Sequence, residues 1–114
     1  MATVKVTLKQ GLTVGEARHI EAELREATAG DMIEACLEAE RLVETSEGPQ
    51  LVSSPTLVGL HTLRRQILRI GDCQGPLTLA ELKKLTTGDL SLLQEKALDL
   101  EAASLQGVAS RGRD

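Results

Sequence analysis

Phenylalanine, tyrosine and tryptophan are all absent from this sequence of 114 residues. That absence removes several classes of function. Single-strand nucleic-acid binders need aromatic platforms on which bases stack, as does an RNA-recognition sheet. Cages for methylated ammonium groups are built from aromatic faces. Cysteine and histidine are scarce, at 2 each. Cys36, Cys73, His19 and His61 fall in no CxxC, HxxxH or HxxE spacing, so no metal site is expected. GxGxxG, P-loop and GxSxG motifs are missing, and paired carboxylates occur only within charge runs. The expectation is no enzyme, no catalytic residue and no cofactor.

Long apolar runs are missing too. Residues 48–63 form the longest stretch without Asp, Glu, Lys or Arg, and prolines, serines and His61 make it too short and too polar to span a bilayer. The opening MATVKVTLKQ has no apolar h-region, so no signal peptide is expected. The expected compartment is cytoplasmic, with no membrane partner and with Cys36 and Cys73 as free thiols. Cys36 reads as a small buried hydrophobe among helix positions, and Cys73 as a more exposed loop residue. His19 is expected on the exposed face of a strand and His61 on a helix flank.

Leucine fills the aromatic gap, with 20 copies. Charge is asymmetric: residues 1–50 hold 5 Lys/Arg against 10 Asp/Glu, and residues 51–114 hold 8 against 7. Duplex binding needs clustered positive charge to displace counterions, and the acidic first half argues against it. Glu34, Glu38, Glu40 and Glu44 read as a solvated helix face. Arg64, Arg65 and Arg69 are the one basic concentration. They suit either pairing with that acidic helix or an acidic partner surface.

Val4, Val6 and Leu8 alternate with polar residues, and Leu12 and Val14 extend the pattern past Gly11. Ile20, Ala22 and Leu24 alternate again after a turn at Gly15-Glu16. Together they predict an antiparallel hairpin of two or three strands. At Thr28 the period changes. Thr28 caps a helix and Asp31 sits at its third position. Met32, Ile33, Cys36, Leu37, Ala39, Leu42 and Val43 then recur at helical spacing. That helix is expected to stop by Glu47 before a polar loop at 46–54.

Ser54-Pro55 opens a second helix whose stripe is Leu57, Leu60, Leu63, Ile67 and Ile70, with Gly71 as its stop. Residues 71–77 read as a loop. A capping box at Thr78-Leu79-Ala80-Glu81 starts a short helix carrying Leu82 and Leu85. Thr86-Thr87-Gly88-Asp89 opens the last helix, with Leu90, Leu93, Ala97 and Leu100 as its stripe. The expected fold is α+β: an N-terminal antiparallel β-hairpin followed by about four α-helices. A single domain over 1–106 and a disordered tail over 107–114 complete it. Leu92, Leu98 and Leu105 lie beside or beyond the last stripe and are, with Arg64, Arg65 and Arg69, the candidate partner contacts.

The strand-to-helix junction reads Ala22-Glu23-Leu24-Arg25-Glu26-Ala27-Thr28-Ala29-Gly30-Asp31-Met32. It resembles the junction of the tail assembly chaperones of Mu-like phages and their relatives. That family runs from alternating strands through a basic-acidic step and a Pro-Thr/Ser-Ala-Gly turn into a helix. The downstream pattern, Leu82 and Leu85 followed by Asp89 and a leucine helix, fits as well. Ala27 stands where the family usually has proline, which softens the strand stop.

The resemblance implies a non-virion helper that binds the tape measure protein and keeps it soluble until tail tube subunits polymerise around it. Many such proteins are made in a short and a frameshift-extended form. Thr28, Gly30 and Asp31 match the junction motif, with structural roles as cap, tight approach and dipole partner. A tape measure protein is largely helical, so an apolar groove for amphipathic helices is expected, together with homo-oligomers.

Two readings of other classes stand beside it. One is a helix-turn-helix DNA-binding regulator using residues 78–100, although four of the seven polar residues on its second helix are acidic. The other is a minor virion structural subunit for tail or head completion. Without aromatic anchors, partner contacts should be aliphatic and spread over many points.

Overall fold

The computed structural model describes the backbone from residue 2 to residue 111 and side chains from residue 2 to residue 103. The alternating N-terminal runs form strands β1 (Thr3–Val14) and β2 (Ala17–Arg25), paired antiparallel from Thr3↔Arg25 to Val14↔Ala17. Their inward residues, Val6, Leu8, Leu12, Ala22 and Leu24, are buried. The register breaks between Thr7 and Leu12. Gly11 turns the chain there with φ of 78°, a conformation that side chains with a Cβ disfavour.

Helix α1 (Ala29–Ala39) starts at the expected cap. The Thr28 hydroxyl accepts from Asp31 N–H, and the Asp31 carboxylate accepts from Thr28 N–H. The helix stops at Ala39 instead of running on toward Glu47. Glu40 turns extended, and strands β3 (Glu40–Thr45) and β4 (Gly48–Ser53) form a second hairpin where helix and polar loop were expected. Leu42 and Val43 fit helical spacing, but a short aliphatic run fits a strand equally. Gly48, at φ 104°, supplies the turn, and Pro49 sits where the two-stranded ribbon has free edges.

Helix α2 (Pro55–Gln66) has the Ser54 cap and N-terminal proline read from the sequence. It ends four residues earlier than expected, and Ile67–Ile70 is strand β5, paired with β2. Pairing there satisfies the outer edge of β2, which would otherwise leave main-chain groups without partners. A step of three would put Ile67 and Ile70 on opposite faces of a regular strand; the register shift at Glu23/Leu24 sets them opposite Leu24 and Ala22, and both are buried. A two-residue strand β6 (Cys73–Gln74) lies within the expected loop and completes a sheet of order β1-β2-β5-β6.

Helix α3 (Leu79–Leu82) carries the capping box of Thr78 and Glu81, and helix α4 spans Thr87–Arg111. The expected tail at 107–114 falls where no side chain lies within the described residues. One aliphatic core joins the sheet to α2, α3 and α4, with Leu63, Leu77, Leu82, Leu85, Leu93 and Leu100 as the helical and loop contributions. The expected hairpin-then-helices α+β plan is present, with four further short strands set between the helices.

Candidate functional site

The junction residues fix how α1 leaves the sheet. Arg25, the last residue of β2, grips Asp31 through two hydrogen bonds, Nη1 to Oδ2 at 2.6 Å and Nη2 to Oδ1 at 3.1 Å. Its own carbonyl accepts from Gln66 Nε2 at the end of α2. Hydrogen bonding from Arg25, opposed by burial and reinforced by the Thr28 main chain, brings the Asp31 pKa down to about 2. Thr28 is thus the cap and Asp31 the link between cap and strand. Gly30 is not in a tight approach: a Cβ there would meet only Thr28 Oγ1, at 3.6 Å.

The second link joins α1 to α2. Arg64 Nη2 donates to Glu38, Arg65 Nε to Glu34 at 3.1 Å, and Arg65 Nη2 also pairs with Glu38. Arg69 approaches Glu23 on β2 at 3.9 Å. The basic group is therefore paired within the chain. His61 is buried and accepts a hydrogen bond at Nδ1 from Arg64 Nε. Burial, then the charges of Arg64 and Arg41, push its pKa below the ordinary imidazole value.

These links turn α1 inside out relative to an ordinary amphipathic helix. Its small residues, Ala35 and Ala39, are buried, and its acidic face turns toward α2. The large apolar residues face outward: Met32, Ile33 and Leu37 are 56%, 61% and 63% exposed. Cys36, expected to be buried, lies exposed on that same stripe, while Cys73 is half-buried against the core; both are free thiols.

An open groove of about 610 Å³ continues the stripe between α1, α2 and α4. Met32 and Ala29 form one wall, Leu98 and Ala97 the other, and Gly59 and Leu63 the floor. Of the candidate contacts, Leu98 lies on the wall at 64% exposure, and Leu92 is half-buried against the core. Leu105 lies outside the described residues. Two polar side chains in the groove have internal partners: Thr62 Oγ1 donates to the Val58 carbonyl and Gln66 to the Arg25 carbonyl.

Beyond α1 the β3–β4 hairpin stands clear. Leu42 and Leu51, directly opposite each other, are 69% and 68% exposed, with Val43 and Val52 exposed as well. The radius of gyration is 16.4 Å, against about 13 Å for a compact domain of this length.

Sequence reasoning missed two further things. One is this hairpin. The other is the role of Asp89, read only as a polar residue at the start of the last helix and found 1% exposed against β1. Its carboxylate accepts the N–H groups of Lys9, Gln10 and Gly11 at 2.8–3.0 Å. Asp89 and Gly11 are both visible in the sequence, but nothing local shows that they meet. The contact also bears on the helix-turn-helix reading. It seats the first turn of α4, the part that would enter a major groove, against the sheet, and α3 has only 4 residues.

Among the described residues no group of three or more His, Cys, Asp or Glu could hold a metal ion. No helix among them is long and apolar enough to cross a membrane.

The class that emerges is a small α+β protein whose first helix, groove and second hairpin present aliphatic side chains to the outside. Residues 8–113 match the model of the family described as tail assembly protein gp41. The "Mu-like prophage FluMu protein gp41" of Haemophilus influenzae is 43% identical over 111 residues, covering 96% of this chain and 87% of that protein. The "Probable tail assembly protein gp41" of Escherichia phage Mu is 48% identical over 113 residues, covering 93% and 77%. The chain belongs to the tail assembly protein gp41 family of Mu-like phages. It is also 49% identical over 105 residues to the "Probable tail assembly protein FS-gp41" of phage Mu, of whose length the match covers 56%. No solved structure matches the chain.

Proposed function

We propose that this tail assembly protein is a non-catalytic chaperone that holds helical segments of the tape measure protein in solution during long-tail morphogenesis. The observation that carries the reading is the outward apolar stripe of α1 running into the groove between α1, α2 and α4. Such a surface is costly in water unless something covers it, and an amphipathic helix is the shape that fits between two helices over a third. Aliphatic contacts spread over several residues suit a helper that must release its client. The protein acts in the host cytoplasm, stays out of the finished virion, and self-associates.

Co-expression with the tape measure protein of the same phage tests this. The client is expected to stay soluble and to co-purify with the chain. Leu98→Glu and Met32→Asp, at exposed positions, should abolish co-purification and leave the circular dichroism spectrum unchanged. An insoluble, unbound client beside soluble wild-type chain would overturn the reading, as would stoichiometric amounts of the chain in purified virions.

A further inference from the structure

The groove carries a charge signature that its apolar lining conceals. Two charged residues line it, Glu26 just after β2 and Glu101 on α4, and both are acidic. No Lys, Arg or His lines it. Neither carboxylate belongs to an ion pair among the described residues, whereas the nearby acids Asp31, Glu34 and Glu38 all do. Between the two acids the lining is aliphatic or uncharged polar, with Gln66 and Gln94 the large polar members and Gly59, Ala27, Ala29 and Ala97 keeping side-chain bulk out of the way.

We propose that the groove selects an amphipathic helix whose apolar ridge is flanked by lysine or arginine. The proposal rests on the chaperone reading and specifies the chemistry of the client segment at that site. Three features favour this occupant. The space lies between two helices and above a third, so a helix seated there would complete a layer of four. Small residues let a helix backbone approach closely while its larger side chains reach Leu63, Met32 and Leu98. The acids on the lining give the flanks of such a helix a preferred sign, because like charges across an interface are repelled and opposite ones attracted.

A pair of designed peptides of sixteen residues tests the sign directly. Both carry the same leucine-alanine ridge; one has lysines on its flanks and the other glutamates. Binding to the full chain is read by fluorescence anisotropy at low and at physiological salt. The lysine peptide is expected to bind at least tenfold more tightly at low salt, with the gap shrinking as salt rises. In a Glu26→Lys, Glu101→Lys chain the preference should reverse, and circular dichroism should confirm an unchanged fold.

Equal binding of the two peptides overturns the charge proposal and leaves the groove as a neutral helix site. Binding of neither peptide also overturns it. If tape measure co-purification persists in that case, the chaperone reading stands with its contact surface elsewhere. If co-purification fails as well, both fall together.

Discussion

Asp89 Oδ2 accepts the main-chain N–H of Gly11 at 2.9 Å, across 78 residues of sequence. The same carboxylate takes the N–H groups of Lys9 and Gln10, the stretch where the β1–β2 register breaks. An irregular strand leaves donors unpaired, and here one buried anion satisfies three of them. Those hydrogen bonds outweigh burial, and the Asp89 pKa lies below the usual carboxylate range although desolvation pushes the other way.

Replacing Asp89 by Ala should therefore be costly. Three N–H groups would lose their acceptor and α4 its anchor on the sheet, so a loss of about 3–5 kcal/mol is expected. Asp89→Asn keeps one acceptor oxygen and should cost less. Urea unfolding of the two variants against wild type checks the order. If Asp89→Ala unfolds at the wild-type midpoint, the carboxylate is not what holds β1 and α4 together.

Gly11→Ala should be more damaging than a glycine-to-alanine change at Gly30. At Gly11 the backbone is at φ 78°, and a Cβ would lie 2.2 Å from the His19 carbonyl oxygen. The strand would have to shift away from the Asp89 carboxylate to relieve that contact. A destabilisation of about 2–4 kcal/mol is expected. Gly30 sits inside α1, where a Cβ would make only an ordinary contact with Thr28 Oγ1 at 3.6 Å, so alanine there should be neutral or stabilising by up to about 1 kcal/mol. Thermal melts of the two variants should move in opposite directions.

What was legible in the sequence is local, and the role of neither glycine was part of it. Alternation at Val4, Val6 and Leu8, the Thr28 and Ser54 caps and the Thr78–Glu81 box are local signals, and each marks a real boundary. For Arg64 and Arg65 the sequence left two readings open, and the ion pairs with Glu34 and Glu38 are those of the first, pairing with the acidic helix. What local pattern could not show is tertiary. Ile67 and Ile70 obey helical spacing, yet the unpaired edge of β2 draws them into a strand. Met32, Ile33 and Leu37 form a good amphipathic stripe, and stripe alone does not say which way it faces. The contacts of Glu34 and Glu38 with α2 settle that, and they turn the stripe outward.

Acid should weaken the junction between β2 and α1. The Asp31 pKa falls from 3.8 to about 2 on folding. A carboxyl whose folded pKa is depressed contributes stability that is fully present above its unfolded pKa and is lost as pH falls through the folded one. The window thus runs from about pH 5 down to about pH 2, and the contribution at neutral pH is about 2 kcal/mol. Asp89, lowered in the same direction, adds to it. Urea midpoints measured between pH 6 and pH 2 should fall for wild type and fall less steeply for Asp31→Asn. Equal slopes would place the acid sensitivity elsewhere.

The β3–β4 hairpin is where the proposed self-association is expected. A two-stranded ribbon is marginal in water when nothing covers it, and this one exposes Leu42 opposite Leu51 on one face and Val52 opposite Arg41 on the other. With both outer edges free as well, a second copy can add by edge pairing or by packing on the leucine pair. Sedimentation velocity of wild-type chain is expected to show a concentration-dependent oligomer. Leu42→Ser with Leu51→Ser should shift it to monomer, with a loss of fold stability below about 1 kcal/mol because the pair touches solvent rather than core. A variant that associates as wild type does would move the interface off the hairpin, and a wild-type chain that stays monomeric at high concentration would remove self-association altogether.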